Sequence, residues 1–280
     1  MPFFLTHIES LRHVAHQLKI HPRTTPVAYH LALVGCILPD LEYAGLLKQV
    51  HGQCKEFYEY LLNAEPAYVP LAIGMLCHEL YDQIIEPGYV AKKEQRAEEI
   101  LSEYYPDLKV KHAAHLFVEH AIDISLLQQE PSLIQDLKRA LKQMTDLRLE
   151  RIVYHLCAFF QADKQALTKA MRTIRAFDVL RLQHPEGMSK FWFNCMLLLS
   201  EQHILHAHAP TLAQKIKAAL RVGVRYSAHT FLHSKEHAKK ALFMMHKGLQ
   251  DHTKVRTRAK HLLGKRLCMV LKRQRTNATS

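Results

Sequence analysis

Apolar residues return every three or four positions along almost the whole of this 280-residue chain. No stretch alternates Val, Ile or Thr with polar residues for long enough to make a strand. Phe4, Ile8, Leu11, Val14, Ala15 and Leu18 carry that period and predict a helix over 3–20. Glycine, which weakens helices, occurs only 9 times. The expectation is an all-α fold, a multi-helix globular domain.

Punctuation sets the helix limits. "HPRTTP" at 21–26 reads as a loop, since the residue before each proline is pushed off helical geometry. An apolar segment ends at Pro39-Asp40, a helix is expected over 46–63, "EPAYVP" at 65–70 is a break, and an apolar helix over 71–85 is stopped by Pro87-Gly88. "AKKEQRAEEILSEYY" predicts an exposed amphipathic helix, and 112–128 a further one. Helices follow at 132–144, 147–161, 163–181, 187–206, 210–234, 236–249 and 254–274, with "RTNATS" frayed at the end.

Charge divides the chain. Residues 1–130 hold 10 Lys+Arg against 17 Asp+Glu, and residues 131–280 hold 28 against 9. An acidic first part suits cations and a basic second part suits polyanions or an anionic membrane. The shift near residue 130 is the one boundary the sequence offers, with 131–280 read as a basic helical region continuous with the same domain. The six cysteines form no C-x-x-C pair and sit in apolar runs, as reduced core thiols do. No secretory signal is legible, and the longest apolar run, "FWFNCMLLL" at 191–199, is too short to cross a bilayer. The expected location is cytoplasmic, with export by a specialised system compatible with the same sequence.

Within the first part, "GMLCHELYDQIIEP" places His78, Asp82 and Glu86 at four-residue steps among Ile73, Leu76, Leu80 and Ile84. "HAAHLFVEH" places His115 and Glu119 at the same spacing beside Leu116, Phe117 and Val118. Residues four apart share a helix face. A carboxylate in apolar surroundings is costly unless it is paired or bound to a cation. Imidazole with carboxylate is a usual ligand set for zinc, manganese or iron, so a metal site between core helices is expected. Gly74, one turn before His78, would leave room beside it. "LPD" adds Asp40 and "TH" adds His7 after apolar segments.

This ordered set resembles the zinc-dependent phospholipase C family, whose fold is shared with fungal single-strand nucleases. The family's succession is an early histidine, an aspartate after an apolar segment, a histidine soon after, then H-x-x-x-D and H-x-x-x-E. It is matched by His7 in "THI", Asp40 in "GCILPD", His51 in "KQVHG", His78 and Asp82 in "CHELYD", and His115 and Glu119 in "HLFVE". The resemblance covers about residues 5–125. It implies an all-helical fold, two or three zinc ions (manganese or iron being alternatives), and a phosphate-ester substrate: a phospholipid headgroup, a nucleotide or nucleic acid. It also implies catalytic roles for Asp40, as a bridging ligand or the base that orients water, and for Asp82, as a bridge between metals. Two departures are visible. Glu86 stands where the family has a further histidine, and no tryptophan lies near the start to act as an N-terminal amine ligand.

Other motifs point elsewhere less clearly. His229, His233 and His237 share a helix face, but one rich in lysine and poor in core carboxylates. No HD dipeptide, P-loop, G-x-S-x-G or G-x-G-x-x-G occurs, and E-x-x-H pairs are not placed as a di-iron bundle needs. The tail, "KVRTRAKHLLGKRLCMVLKRQR", interleaves Leu262, Leu263, Leu267, Met269, Val270 and Leu271 with cations. It reads as a basic amphipathic helix suited to an anionic membrane surface, and its lack of aromatics disfavours base stacking. A helical interaction protein that kept the scaffold and lost catalysis, binding a polyanion or membrane through its basic half, is the alternative reading.

Overall fold

The structure, a computed structural model, describes residues 4–42, 45–104, 110–183, 187 and 252–277. The expected helices over 187–206, 210–234 and 236–249, the 191–199 run and the His229–His233–His237 group lie outside the described residues. Among the described residues there is no strand, and ten α-helices account for the regular structure: α1 Phe4–Ala15, α2 Pro26–Gly35, α3 Cys54–Ala64, α4 Val69–Ile85, α5 Ala91–Tyr104, α6 Val110–Gln129, α7 Ser132–Gln143, α8 Asp146–Phe160, α9 Lys164–Ala176 and α10 His252–Asn277. The fold is all-α, as its periodicity predicts. None of the described helices is long and apolar enough to cross a membrane.

The centre is α4, and its sequence says why. Leu71, Ala72, Met75, Leu76, Cys77, Leu80, Tyr81 and Ile85 point to more than one side and all are buried. A helix apolar nearly all round must be enclosed. α1, α2, α3 and α10 all pack against it. The α2–α4 crossing is tightest where Gly35 meets Gly74: a Cβ on Gly74 would lie 2.0 Å from the Ala32 carbonyl oxygen, and one on Gly35 would lie 2.0 Å from that of Leu71. The space left by Gly74 is therefore filled by α2, and not kept open beside His78 as expected from the sequence. Leu133, Ile134, Leu156 and Leu167 from the chain after residue 130, and Leu263 and Leu267 from α10, join the same buried apolar cluster as Leu5, Leu33 and Phe57. Tyr29 of α2 donates to Asp136 of α7, and Arg12 of α1 to Ser132.

Several boundaries differ from expectation. α1 ends at Ala15, and Lys19 takes a left-handed φ of 58° that closes the turn after it. Residues 46–53 are not helical. Gly45, Gln49 and Gly52 at φ 68°, 52° and 95° break the helical path, so His51 sits in a loop and α3 starts only at Cys54. Pro87-Gly88 does not stop the chain, because a π-helical turn, Glu86–Val90, carries α4 into α5. The expected 163–181 helix ends at Ala176 and is followed by a 3-10 turn, Val179–Gln183. Helical geometry continues through Asn277, further than the frayed end predicted. Cys36, Cys54 and Cys77 are buried, Cys157 and Cys268 partly so, and all five are free thiols.

Candidate metal centre

His7 on α1, His78 and Asp82 on α4 offer ligand atoms that all lie within 4.8 Å of one another, and this group could hold a metal ion. His7 Nε2 is 3.4 Å from Asp82 Oδ1, and His78 Nε2 is 3.0 Å from Asp82 Oδ2. The His7 and His78 rings stack with centroids 3.6 Å apart, and Tyr81 meets His7 edge-on. Two further residues border the group. Asp40, buried in the 3-10 turn Pro39–Leu41, has Oδ1 3.6 Å from His78 Nε2, and His51 Nε2 is 3.9 Å from Asp82 Oδ2.

Local structure aims each of these groups. The last carbonyls of a helix lack intrahelical partners and carry its negative dipole end. The Cys36 carbonyl, just past the end of α2, accepts a 2.7 Å hydrogen bond from His78 Nδ1. A carbonyl can only accept, so Nδ1 carries the proton, and in the neutral ring the Nε2 lone pair faces Asp40 and Asp82. That is the tautomer a metal ligand needs. The donor set, imidazole nitrogens with carboxylate oxygens, fits zinc, manganese or iron.

The charges favour a cation as well. Burial, with His78 and His51 adding to it, pushes His7 well below its ordinary 6.5, so His7 is a neutral imidazole at neutral pH. Burial also pulls on His78, but Asp82 and then Asp40 outweigh it and raise His78 to about 10. In the metal-free chain His78 is thus the cation that Asp40 and Asp82 share. Burial raises Glu119 well above its ordinary 4.5; its ion pair with His115 opposes this, and Asp82 and Asp40 add to it. Three buried or largely buried carboxyls within electrostatic reach of one another make a site where positive charge is wanted.

His115 and Glu119 stand together but outside the three-residue group. His115 Nε2 is 3.1 Å from Glu119 Oε1, and its Nδ1 is 2.6 Å from Glu94 Oε1 on α5. His51 is likewise held by a carboxylate absent from the sequence expectation: Glu42 Oε2 accepts both its backbone N–H and its ring Nδ1 at 2.9 Å. Burial works against the Glu42 charge, but those two His51 bonds prevail and hold it below the usual carboxylate range. Glu79 of α4 accepts from the Cys54 N–H at 3.2 Å and so ties the start of α3, and the His51 loop before it, to the helix of His78. The side chain of Glu86 lies outside the described residues.

Asp123 was also missed, although it continues the four-residue spacing of His115 and Glu119 along α6. Buried, it accepts from the Thr6 backbone N–H at 3.0 Å and from the Thr6 hydroxyl at 2.6 Å, and lies 3.4 Å from the Leu5 nitrogen. It therefore caps the first turn of α1, immediately before His7. Burial raises Asp123 from 3.8 to about 7, against the bonds from Thr6 and Leu5. The folded-state value lies above the unfolded one, so the native chain holds an extra proton across that window. The cost of a buried carboxylate is absent below about pH 4 and complete above about pH 7. Wild-type stability is expected to fall across that window relative to Asp123→Asn, by a few kcal/mol at about 1.4 kcal/mol per pKa unit. Thermal melts of both chains at about pH 5 and about pH 8 check this; a difference in Tm that stays constant would overturn it.

The chain matches no family model, no curated protein and no solved structure.

Proposed function

We propose that this protein is a metal-dependent hydrolase of phosphate esters, similar in its site to the zinc-dependent phospholipases C. The observation that carries the reading is the convergence of His7, His78 and Asp82, with the Nδ1 proton of His78 held by the Cys36 carbonyl so that Nε2 serves the site. The order His7, Asp40, His51, His78, Asp82, His115, Glu119 along the chain supports it, because the same succession is what the resemblance rests on.

In this reading His7, His78 and Asp82 hold a first ion, and Asp40 and His51 extend the set toward a second. His115 and Glu119 complete a site of two or three ions, with Glu86 as a further carboxylate ligand. Divalent ions supply Lewis acidity that polarises a phosphoryl oxygen and makes hydroxide available near neutral pH. Asp40, buried beside His78, orients the attacking water and takes its proton. Glu42 and Glu94 orient the rings of His51 and His115, as outer carboxylates do for metal-bound histidines.

Elemental analysis of the purified chain after mild dialysis tests the reading, followed by a screen of phosphomonoesters, phosphodiesters and phospholipids with the reloaded protein. Two or three zinc, manganese or iron ions per chain, with turnover that Asp40→Asn lowers by at least about a hundredfold, are expected. No retained metal after reloading with each cation, and no turnover, would sink the proposal and leave a helical binding protein in its place.

A further inference from the structure

We propose that the outer face of α10 docks on the surface of an anionic phospholipid bilayer, a property that does not depend on the hydrolase reading. In sequence, residues 252–277 carry nine Lys and Arg and no Asp or Glu. In the fold this helix divides into two faces. Ala259, Leu263 and Leu267 are buried in the body, and Lys260 turns inward to form an ion pair with Glu9 of α1. The opposite face carries Arg258, Leu262, Lys265 and Met269 at steps of four, three and four, which is one straight stripe along a helix, with His261 and Arg266 beside it; all six are exposed.

Two features of that stripe go beyond a solvated surface. Leu262 and Met269 are 38 % and 56 % exposed, two turns apart, in the middle of the cations. A face built for solubility would mix acids with bases. Here the exposed face carries Arg258, His261, Lys265 and Arg266, with His261 and Lys265 four apart, and no acid stands among them. An anionic surface supplies the missing negative charge, and its headgroup boundary takes the two apolar side chains while Arg and Lys remain at phosphate level. At about 1.5 Å per residue the 26-residue helix is a convex rod roughly 39 Å long, a shape that lies on a plane. Nucleic acid fits the stripe less well: no Phe, Tyr or Trp is present in 252–277 to stack on bases, and phosphate contacts alone leave Leu262 and Met269 without a role.

Cosedimentation of the full chain with vesicles tests the docking. Binding is expected to vesicles of phosphatidylcholine with about a third phosphatidylserine, to weaken with salt, and to be absent with phosphatidylcholine alone. Arg258→Gln/Lys265→Gln/Arg266→Gln should weaken it by about a hundredfold, at roughly fivefold per cation. Leu262→Ser/Met269→Ser should weaken vesicle binding by about tenfold or more while leaving any binding to duplex DNA unchanged. These side chains are exposed, so unaltered helical circular dichroism and Tm identify loss of docking as distinct from loss of fold. Failure to bind the mixed vesicles overturns the proposal. So does tighter binding to duplex DNA than to vesicles, or vesicle binding that the Leu262/Met269 variant retains in full.

Discussion

Metal retention is expected to disappear in Asp82→Asn and in His78→Ala, with affinity reduced by more than the 10–100-fold that follows loss of an outer-shell partner. Among the described residues Asp82 is the carboxylate within reach of three imidazoles, those of His7, His78 and His51. Asn keeps its size and loses its charge, so this variant should fold, and elemental analysis after dialysis then reads the site alone. His78→Ala goes further. It strands the Cys36 carbonyl and removes the cation between Asp40 and Asp82, so the metal-free fold should weaken as well. The pH dependence has a definite sign. His78 is raised from 6.5 to about 10, so its contribution to the stability of the metal-free chain is complete below about pH 6.5 and is lost as pH rises through about 10. A bound metal replaces that proton, so uptake by wild type near pH 8 should release about one proton, measurable in weak buffer, and His78→Ala, which takes up no metal, should release none. Equal metal content and equal proton release in all three chains would remove the site from consideration.

Gly74→Ala is expected to destabilise the chain strongly. Helix propensity favours alanine by about 1 kcal/mol, so the local effect is stabilising. The tertiary effect opposes it: the new Cβ would sit 2.0 Å from the Ala32 carbonyl oxygen and 2.9 Å from the Cys36 nitrogen. Those are backbone atoms and cannot swing aside, so α2 and α4 must separate, and an overpacked core site costs about 3 kcal/mol or more. Because the Cys36 carbonyl orients His78, the same shift should loosen metal binding. Gly264→Ala on α10 is the control, since its Cβ would meet only the end of the Gln17 side chain at 3.0 Å. There the propensity gain should stand, and Tm should hold or rise. A Gly74→Ala chain as stable as wild type would mean that the two helices do not cross this closely.

The ionic links between α8 and α3 illustrate a contact that pattern reading passes over. His155 is buried, with Nε2 2.8 Å from Glu65 and Nδ1 3.2 Å from the Tyr60 hydroxyl, while Arg151 also reaches Glu65 at 2.9 Å. Both ring nitrogens are satisfied, and the group fastens the end of α3 to the body. In the sequence His155 is one of 21 histidines, with no carboxylate at helical spacing to mark it. Histidine number alone therefore says little; partners decide.

Periodicity was enough for the fold class, because burying an apolar stripe every 3.6 residues is a local instruction that survives in any all-α arrangement. It was enough too for the His78–Asp82 and His115–Glu119 pairs, since four-residue spacing on one helix fixes which side chains are neighbours. The loop at 46–53 escaped it, because left-handed φ at Gln49 depends on what the chain must reach and not on its own side chain. Three decisions belonged to the tertiary structure alone. It brought His7 to Asp82 across 75 positions, gave His78 a backbone carbonyl as its orienting partner, and set Asp123 under the start of α1. Each depends on the crossing of helices distant in sequence, where a backbone acceptor has no residue type to betray it and proximity is set by the packing of α4 among its neighbours.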